Sequence, residues 1–292
     1  MSMLNNVAIA GGFMAGLGLT LASVLAVANR KLYVYEDPRI DELEEMLPAS
    51  NCGACGQAGC RPFAEKLISG EVEPGECTVN SVDNAQLIAN FLGVDVGGAE
   101  KRVARLACFG GDNVAKHHAH YEGLPSCHAA AQLGGGGKGC AWGCLGLADC
   151  EVSCDFDAIS MAPNRLPLVD TELCTACGDC VDICPRDLFS LHPISHRLWV
   201  ACQNPLFGDE AEDECAVACT ACERCAVDAA EGVITIENNL AVVNYELNDK
   251  ASTDAIQRCP TGAIVWLDDK HGPQRGAKAK KVVRQSALPI NQ

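Results

Sequence analysis

Short cysteine runs carry most of the chemistry this chain could perform. The run "CTACGDCVDICP" places Cys174, Cys177, Cys180 and Cys184 at gaps of two, two and three residues, with Pro185 after the last. Three thiolates on so tight a loop can reach three irons of a 4Fe–4S cube, and the fourth iron takes its ligand from elsewhere in the chain. Where two such runs occur together, each gives its fourth cysteine to the other's cluster. A partner run lies just upstream, "CAWGCLGLADCEVSC", with Cys140, Cys144, Cys150 and Cys154 at wider gaps of three, five and three. The expected pairing is one cluster on Cys140, Cys144, Cys150 and Cys184, and a second on Cys154, Cys174, Cys177 and Cys180. Asp155 stands where a proline usually follows.

The stretch "CTACERCAVDAAEG" begins in the same way, with Cys219, Cys222 and Cys225, but Ala229 and Ala230 occupy the positions of the final Cys-Pro. Its fourth ligand is expected from the next Cys-Pro pair, Cys259-Pro260. The segment before that pair, 246–257, has no cysteine. One site of this second repeat is therefore complete, on Cys219, Cys222, Cys225 and Cys259, and its neighbour has lost all its ligands. A further group, Cys52, Cys55, Cys60 and Cys77, has gaps of two, four and sixteen residues. By spacing alone it suits either an iron–sulfur cluster or structural zinc. Cys108, Cys127, Cys202 and Cys215 stand outside these groups and are expected to be buried free thiols. Against that, Cys215 precedes Cys219 as Cys140 precedes Cys144, which leaves room for a fifth metal site or an exchange of ligands with Cys140. His117, His118 and His120 are expected on an exposed polar helix face.

The chain has 292 residues and 20 cysteines. Such richness marks either an oxidised disulfide framework or metal binding, and the spacings favour metal. No dinucleotide fingerprint and no nucleophile–base arrangement is found. "GGGGKG" (134–139) lacks the spacing of a phosphate loop and has Gly139 where Ser or Thr is required. The formal charge is −16. The stretch 270–292 carries Lys270, Arg275, Lys278, Lys280, Lys281 and Arg284 and no acid, so the remainder is more acidic still. An acidic body argues against a nucleic-acid partner. It suits a basic partner surface or, equally, plain solubility.

Several elements must position these residues. The stretch 7–28 is free of charge and, at 22 residues, long enough to cross a bilayer as a helix. Asn29, Arg30 and Lys31 follow, which places the bulk of the chain on the cytoplasmic side. Gly12 and Gly16 form a small-xxx-small pair, which would let another membrane helix approach closely, although glycine is common in such helices anyway. Asp37 and Pro38 begin a helix striped by Ile40, Leu43 and Leu47, and a second helix follows Cys60 as far as Gly70. "RVARLACF" reads as a strand, "NVAKHHAHYEG" and "SCHAAAQL" as helices. The stretches 158–170 and 233–245 read as hairpins, the second turning at Asn238-Asn239. The same sequence of elements thus occurs twice, as an internal repeat of a small unit that bound metal would help to hold together.

Residues 5–268 resemble the B subunit of the Rnf complex, the membrane-bound ion-translocating ferredoxin:NAD oxidoreductase. The resemblance rests on the anchor followed by "DPRIDELEEMLPASNCGACGQAGC", and on "CHAAAQLGGGGKGCAWGCLGLADC", "CTACGDCVDICP" and "NNLAVVNY". It implies a 4Fe–4S cluster on Cys52, Cys55, Cys60 and Cys77, which with the three sites read from cysteine spacing makes four expected clusters, a fifth being left open. It further implies electron transfer between a soluble ferredoxin- or flavodoxin-like donor and membrane subunits, with no catalytic residue in this chain. The expected location is the bacterial inner membrane, crossed once. The expected class is α+β. A transmembrane anchor (1–31) leads to a small helical Fe–S domain (32–82) and a connecting region (83–138). A two-cluster ferredoxin module (139–200), a one-cluster degenerate module (201–269) and a flexible basic tail (270–292) follow. Members of this longer type usually carry a second full ferredoxin pair, which this chain lacks. A polyferredoxin-like subunit of a hydrogenase or formate dehydrogenase is the alternative, and a zinc-stapled scaffold a third.

Overall fold

The computed structural model describes residues 3–32, 37–98, 100–268 and 271–288. The first two residues of the expected anchor, and residues 270 and 289–292 of the expected tail, lie outside the described residues. Helix α1 (Met3–Leu32) contains an apolar stretch, Gly11–Leu32, long enough to cross a membrane, and none of that stretch is buried inside the protein. Arg30 and Lys31 lie in its last turn.

Three helices follow, α2 (Arg39–Met46), α3 (Cys60–Ser69) and α4 (Val82–Leu92). The Asp37 carboxylate accepts the Arg39 N–H at 3.0 Å, as the sequence suggests for a capping residue. Gly70 closes α3 with φ +73°, a left-handed conformation that glycine adopts without strain. Ser81 caps α4 by accepting the Asn84 N–H at 3.2 Å. The apolar stripes of the three helices meet in one core, centred on Leu43, Phe63, Leu67 and Ile88.

The rest of the chain repeats one arrangement. Strand β1 (Arg102–Leu106) is followed by α5 (Cys127–Gln132), α6 (Asp149–Val152), β2 (Ile159–Met161), β3 (Pro167–Val169), α7 (Asp179–Asp182) and β4 (Phe189–Pro193). The outer strands β1 and β4 pair antiparallel, with Arg102 opposite Pro193 and Leu106 opposite Phe189. The inner strands β2 and β3 form a hairpin. The chain then continues with β5 (Leu198–Val200), α8 (Asp209–Glu214), α9 (Arg224–Asp228), β6 (Ile234–Glu237), β7 (Leu240–Val243), α10 (Asp254–Gln257), β8 (Ile264–Asp268) and β9 (Gly272–Arg275). Here β5 pairs with β8 and β6 with β7, again outer with outer and inner with inner. The β6–β7 turn holds Asn238 and Asn239 at φ 47° and 61°, which asparagine tolerates better than most residues.

Each unit has a core in which apolar side chains and cysteines mix. The first joins Val103, Ile159 and Phe189 to Cys150, Cys174 and Cys180. The second joins Val233, Ile256 and Ile264 to Cys219, Cys225 and Cys259.

Two expectations differ from the structure. The stretch 113–123 is not a helix. Its backbone bridges Cys215 through Ala115 and Lys138 through His117, so tertiary pairing replaces local hydrogen bonds. Its histidines accordingly find carboxylates: His117 bonds Asp112 at 3.1 Å and His118 bonds Glu214 at 3.0 Å. The basic stretch 271–288 also lies along the body. Strand β9 pairs with β8, the Lys278 and Lys280 N–H groups bond the carbonyls of Gln257 and Pro260, and the Leu288 N–H bonds Asp112.

Candidate metal centres

Four small cavities are each ringed by cysteines. In the first repeat, Cys154, Cys174, Cys177 and Cys180 line a space of about 10 Å³. Beside it, Cys127, Cys144, Cys150 and Cys184 line a space of about 20 Å³. In the second repeat, Cys219, Cys222, Cys225 and Cys259 line about 20 Å³. The fourth cavity, about 20 Å³, is lined by Cys108, Cys140, Cys202 and Cys215. The Cys154 and Cys219 groups coincide with the expected ones. The Cys144 group does not: Cys127, from the start of α5, stands where Cys140 was expected, and Cys140 lines the separate fourth cavity.

The fold explains how each ring closes. The "CTACGDC" loop turns with Ala176 at φ 59° and Gly178 at φ 101°, which curls three cysteines around one space before α7 begins. Cys180 then sits on α7, whereas Cys184, just past its end, faces the neighbouring cavity. The "CTACERC" loop repeats this with Ala221 at φ 52° and Glu223 at φ 61°. Cys259 enters from beyond α10, bringing Thr261 with its hydroxyl 3.9 Å from the Cys259 sulfur. In the N-terminal unit, Cys55, Cys60 and Cys77 lie near enough to act on one another's charge, and Cys52 starts the same loop. The Asn51 side chain braces this loop by accepting the Cys60 N–H at 2.8 Å. The unit abuts the first repeat, where the Thr78 hydroxyl donates to the carbonyl of Thr175.

Burial makes these thiols reluctant acids. It pushes Cys144, Cys150, Cys180, Cys202, Cys215 and Cys225 up to about 12, and their cysteine neighbours push the same way. Burial likewise raises Cys77, Cys127, Cys140, Cys177 and Cys219. Four thiolates around a dry cavity therefore need a cationic centre between them, which iron supplies. Among the described residues, no group of three or more Cys, His, Asp or Glu side chains converges tightly enough for a single metal ion.

Backbone N–H groups point at several sulfurs. Ala104 donates to Cys174 at 3.4 Å, Cys144 to Cys108 at 3.4 Å, and both Asn204 and Cys219 to Cys202 at 3.4 and 3.3 Å. Lys138, within the glycine loop 134–139, is buried at the wall of the fourth cavity. Its ammonium donates to the carbonyls of Gly110 and Cys144. A larger open cleft of about 460 Å³ includes Arg105, Cys108 and Arg275 in its lining.

Comparison with known proteins agrees with this chemistry. Residues 47–79 match the family described as putative Fe-S cluster, and residues 167–189 match the 4Fe-4S binding domain. Over 262 residues, the chain is 36% identical to the B subunit of the Na⁺-translocating ferredoxin:NAD⁺ oxidoreductase complex of Acetobacterium woodii, covering 90% of this chain and 78% of the relative. It is also 36% identical to the B subunit of the proton-translocating complex of Clostridium ljungdahlii, over 85% of this chain and 88% of the relative. The B subunit of the ion-translocating oxidoreductase complex of Methanosarcina acetivorans is 32% identical over 90% of this chain and 97% of its own length.

Proposed function

The chain belongs to the B-subunit family of Rnf-type ion-translocating oxidoreductases, and we propose that it carries electrons between a soluble ferredoxin- or flavodoxin-like donor and the complex's membrane subunits, through clusters held by its cysteine quartets. It is an iron–sulfur electron-transfer subunit of such a complex. Its relatives favour this assembly over a hydrogenase or formate dehydrogenase. The repeated strand–helix–helix–strand–strand–helix–strand order supports reading residues 139–200 and 201–269, each joined by its preceding strand, as tandem ferredoxin-like modules.

The observation that carries the cluster assignment is the set of small cavities, each ringed by four cysteines. Within the motif-bearing regions the ligands are Cys52, Cys55, Cys60 and Cys77; Cys154, Cys174, Cys177 and Cys180; Cys127, Cys144, Cys150 and Cys184; and Cys219, Cys222, Cys225 and Cys259. When bound, a 4Fe–4S cluster supplies one-electron exchange without a proton or substrate. The chain's own residues do the rest. Apolar neighbours such as Ile159, Phe189 and Ile264 exclude water from the rings. Amides aimed at sulfur, such as that of Ala104 on Cys174, favour the more negative state and so raise the potential. Cys222 is the exposed member of its ring and marks a face where a soluble donor could come close. Helix α1 anchors the chain, with Arg30 and Lys31 on the cytoplasmic side.

Reductive titration of the purified complex, followed by EPR, tests this reading. The expected result is fast-relaxing 4Fe–4S signals from this subunit that appear when a reduced ferredoxin-type donor is added. Zinc in place of iron in the isolated chain would overturn it.

A further inference from the structure

The cavity lined by Cys108, Cys140, Cys202 and Cys215 draws its cysteines from four separate parts of the chain and from no single cysteine run. Its volume, about 20 Å³, falls with the three other rings, at about 10 to 20 Å³. Free thiols serving as small hydrophobes would be packed against neighbours. These four surround a space instead. The backbone is shaped to keep that space: a Cβ on Gly110 would stand 3.0 Å from the Cys215 sulfur and 3.6 Å from the Cys108 sulfur.

The four cysteines also obey the internal repeat. Cys108 follows the end of β1 at Leu106 by two residues, and Cys202 follows the end of β5 at Val200 by two residues. Cys140 precedes Cys144 by four residues, and Cys215 precedes Cys219 by four. The hydrogen bonds repeat as well. The Cys144 N–H donates to the Cys108 sulfur at 3.4 Å, and the Cys219 N–H donates to the Cys202 sulfur at 3.3 Å. Each module thus contributes one cysteine past a strand end and one ahead of its own cluster loop. The strand ends are themselves joined, since the Phe109 N–H bonds the Ala201 carbonyl at 3.1 Å, and Ala115 bridges Cys215. Convergence of equivalent residues from two repeats is hard to obtain from unrelated free thiols.

We propose that Cys108, Cys140, Cys202 and Cys215 hold a fifth 4Fe–4S cluster at the seam between the two modules, two ligands from each. This rests on the cluster reading of the other rings. On transfer from a thiolate-bearing cluster carrier, each carrier sulfur–iron bond breaks as one of these four sulfurs bonds the same iron, and the thiol's proton passes to the released carrier thiolate, so no electron is exchanged with the protein. The Lys138 ammonium at the cavity wall offsets the thiolate charge. The seam site touches both neighbours, the Cys144 ring through Cys108 and the Cys219 ring through Cys202. With the Thr78–Thr175 contact, the rings form an unbroken row from the N-terminal unit to the C-terminal one.

The test compares the full-length chain, purified without oxygen, with the double variant Cys108→Ser/Cys215→Ser. The wild type is expected to hold about twenty irons and the variant about sixteen, with one cluster's worth of EPR spin lost on full reduction. An unchanged iron content in the variant overturns the proposal. If the variant does not fold, iron and acid-labile sulfide of the wild type decide: about sixteen of each overturns the seam cluster and leaves the other rings standing. Little or no iron in the wild type would defeat the cluster reading altogether, a different outcome from loss of the seam site alone.

Discussion

The backbone N–H of Cys144 lies 3.4 Å from the sulfur of Cys108, which ties the first residue of a cluster loop to the residue that leaves strand β1. Cys144 lines one ring and Cys108 the next, so this bond sits on the wall between two cysteine-ringed cavities. Its counterpart in the second repeat joins Cys219 to Cys202 at 3.3 Å.

The assignment of Cys127 separates two readings of the first repeat. Cys127→Ala is expected to remove about four irons, because Cys127 completes the ring of Cys144, Cys150 and Cys184. Iron analysis with EPR checks this. An unchanged cluster content would return Cys140 to that ring.

In the second repeat, Cys259→Ala is expected to cost about four irons and leave the remaining clusters in place. The loss also opens the core that joins Cys259 to Ile256 and Ile264, so the melting temperature should fall. Loss of every cluster together would mean that the second repeat does not bind its own.

Lys138→Met removes a buried cation and leaves the carbonyls of Gly110 and Cys144 without its ammonium. The expected cost is about 1–3 kcal/mol of stability. A positive charge favours the reduced, more negative state of a nearby cluster, so the potential of the cluster or clusters beside Lys138 should fall in the variant. Thermal unfolding and a redox titration read the two effects separately.

His192 packs against Trp199 and Tyr245, with ring centroids 4.9 and 5.0 Å away. Burial first, then the charges of His196, Arg102 and Arg105, bring its pKa down to about 4 from the ordinary 6.5. The unfolded chain therefore takes up the proton first. The stability His192 contributes is fully present above pH 6.5 and is lost as pH falls from there towards 4. Unfolding measured across that window should show a shallower decline in His192→Gln than in the wild type.

The sequence revealed those rings whose ligands lie close together on one loop. Cys174, Cys177 and Cys180 fall at fixed short gaps because one tight turn must present all three, and that turn is written in Ala176 and Gly178. The placing of Cys184 and Cys259 beside a loop other than their own was also legible, since crossing cysteines follow a known rule. Cys127, Cys108 and Cys202 obey no such gap. Their partners come from strand ends and a helix start far apart in the chain, and only tertiary pairing brings them together. The usable signal was the repeat itself: aligning "LAC" at Cys108 with "VAC" at Cys202, and Cys140 with Cys215, marks equivalent positions. The stretch 113–123 misled for a related reason. Its helical composition yields to bridges with Cys215 and Lys138 that hold the seam together. The hairpins were read correctly because strand alternation and the Asn238-Asn239 turn are local features.

Iron and acid-labile sulfide, counted per chain in the full-length protein purified without oxygen, test the account most directly. Five cysteine quartets predict about twenty of each, with negligible zinc. A chain that holds zinc and almost no labile sulfide would contradict it.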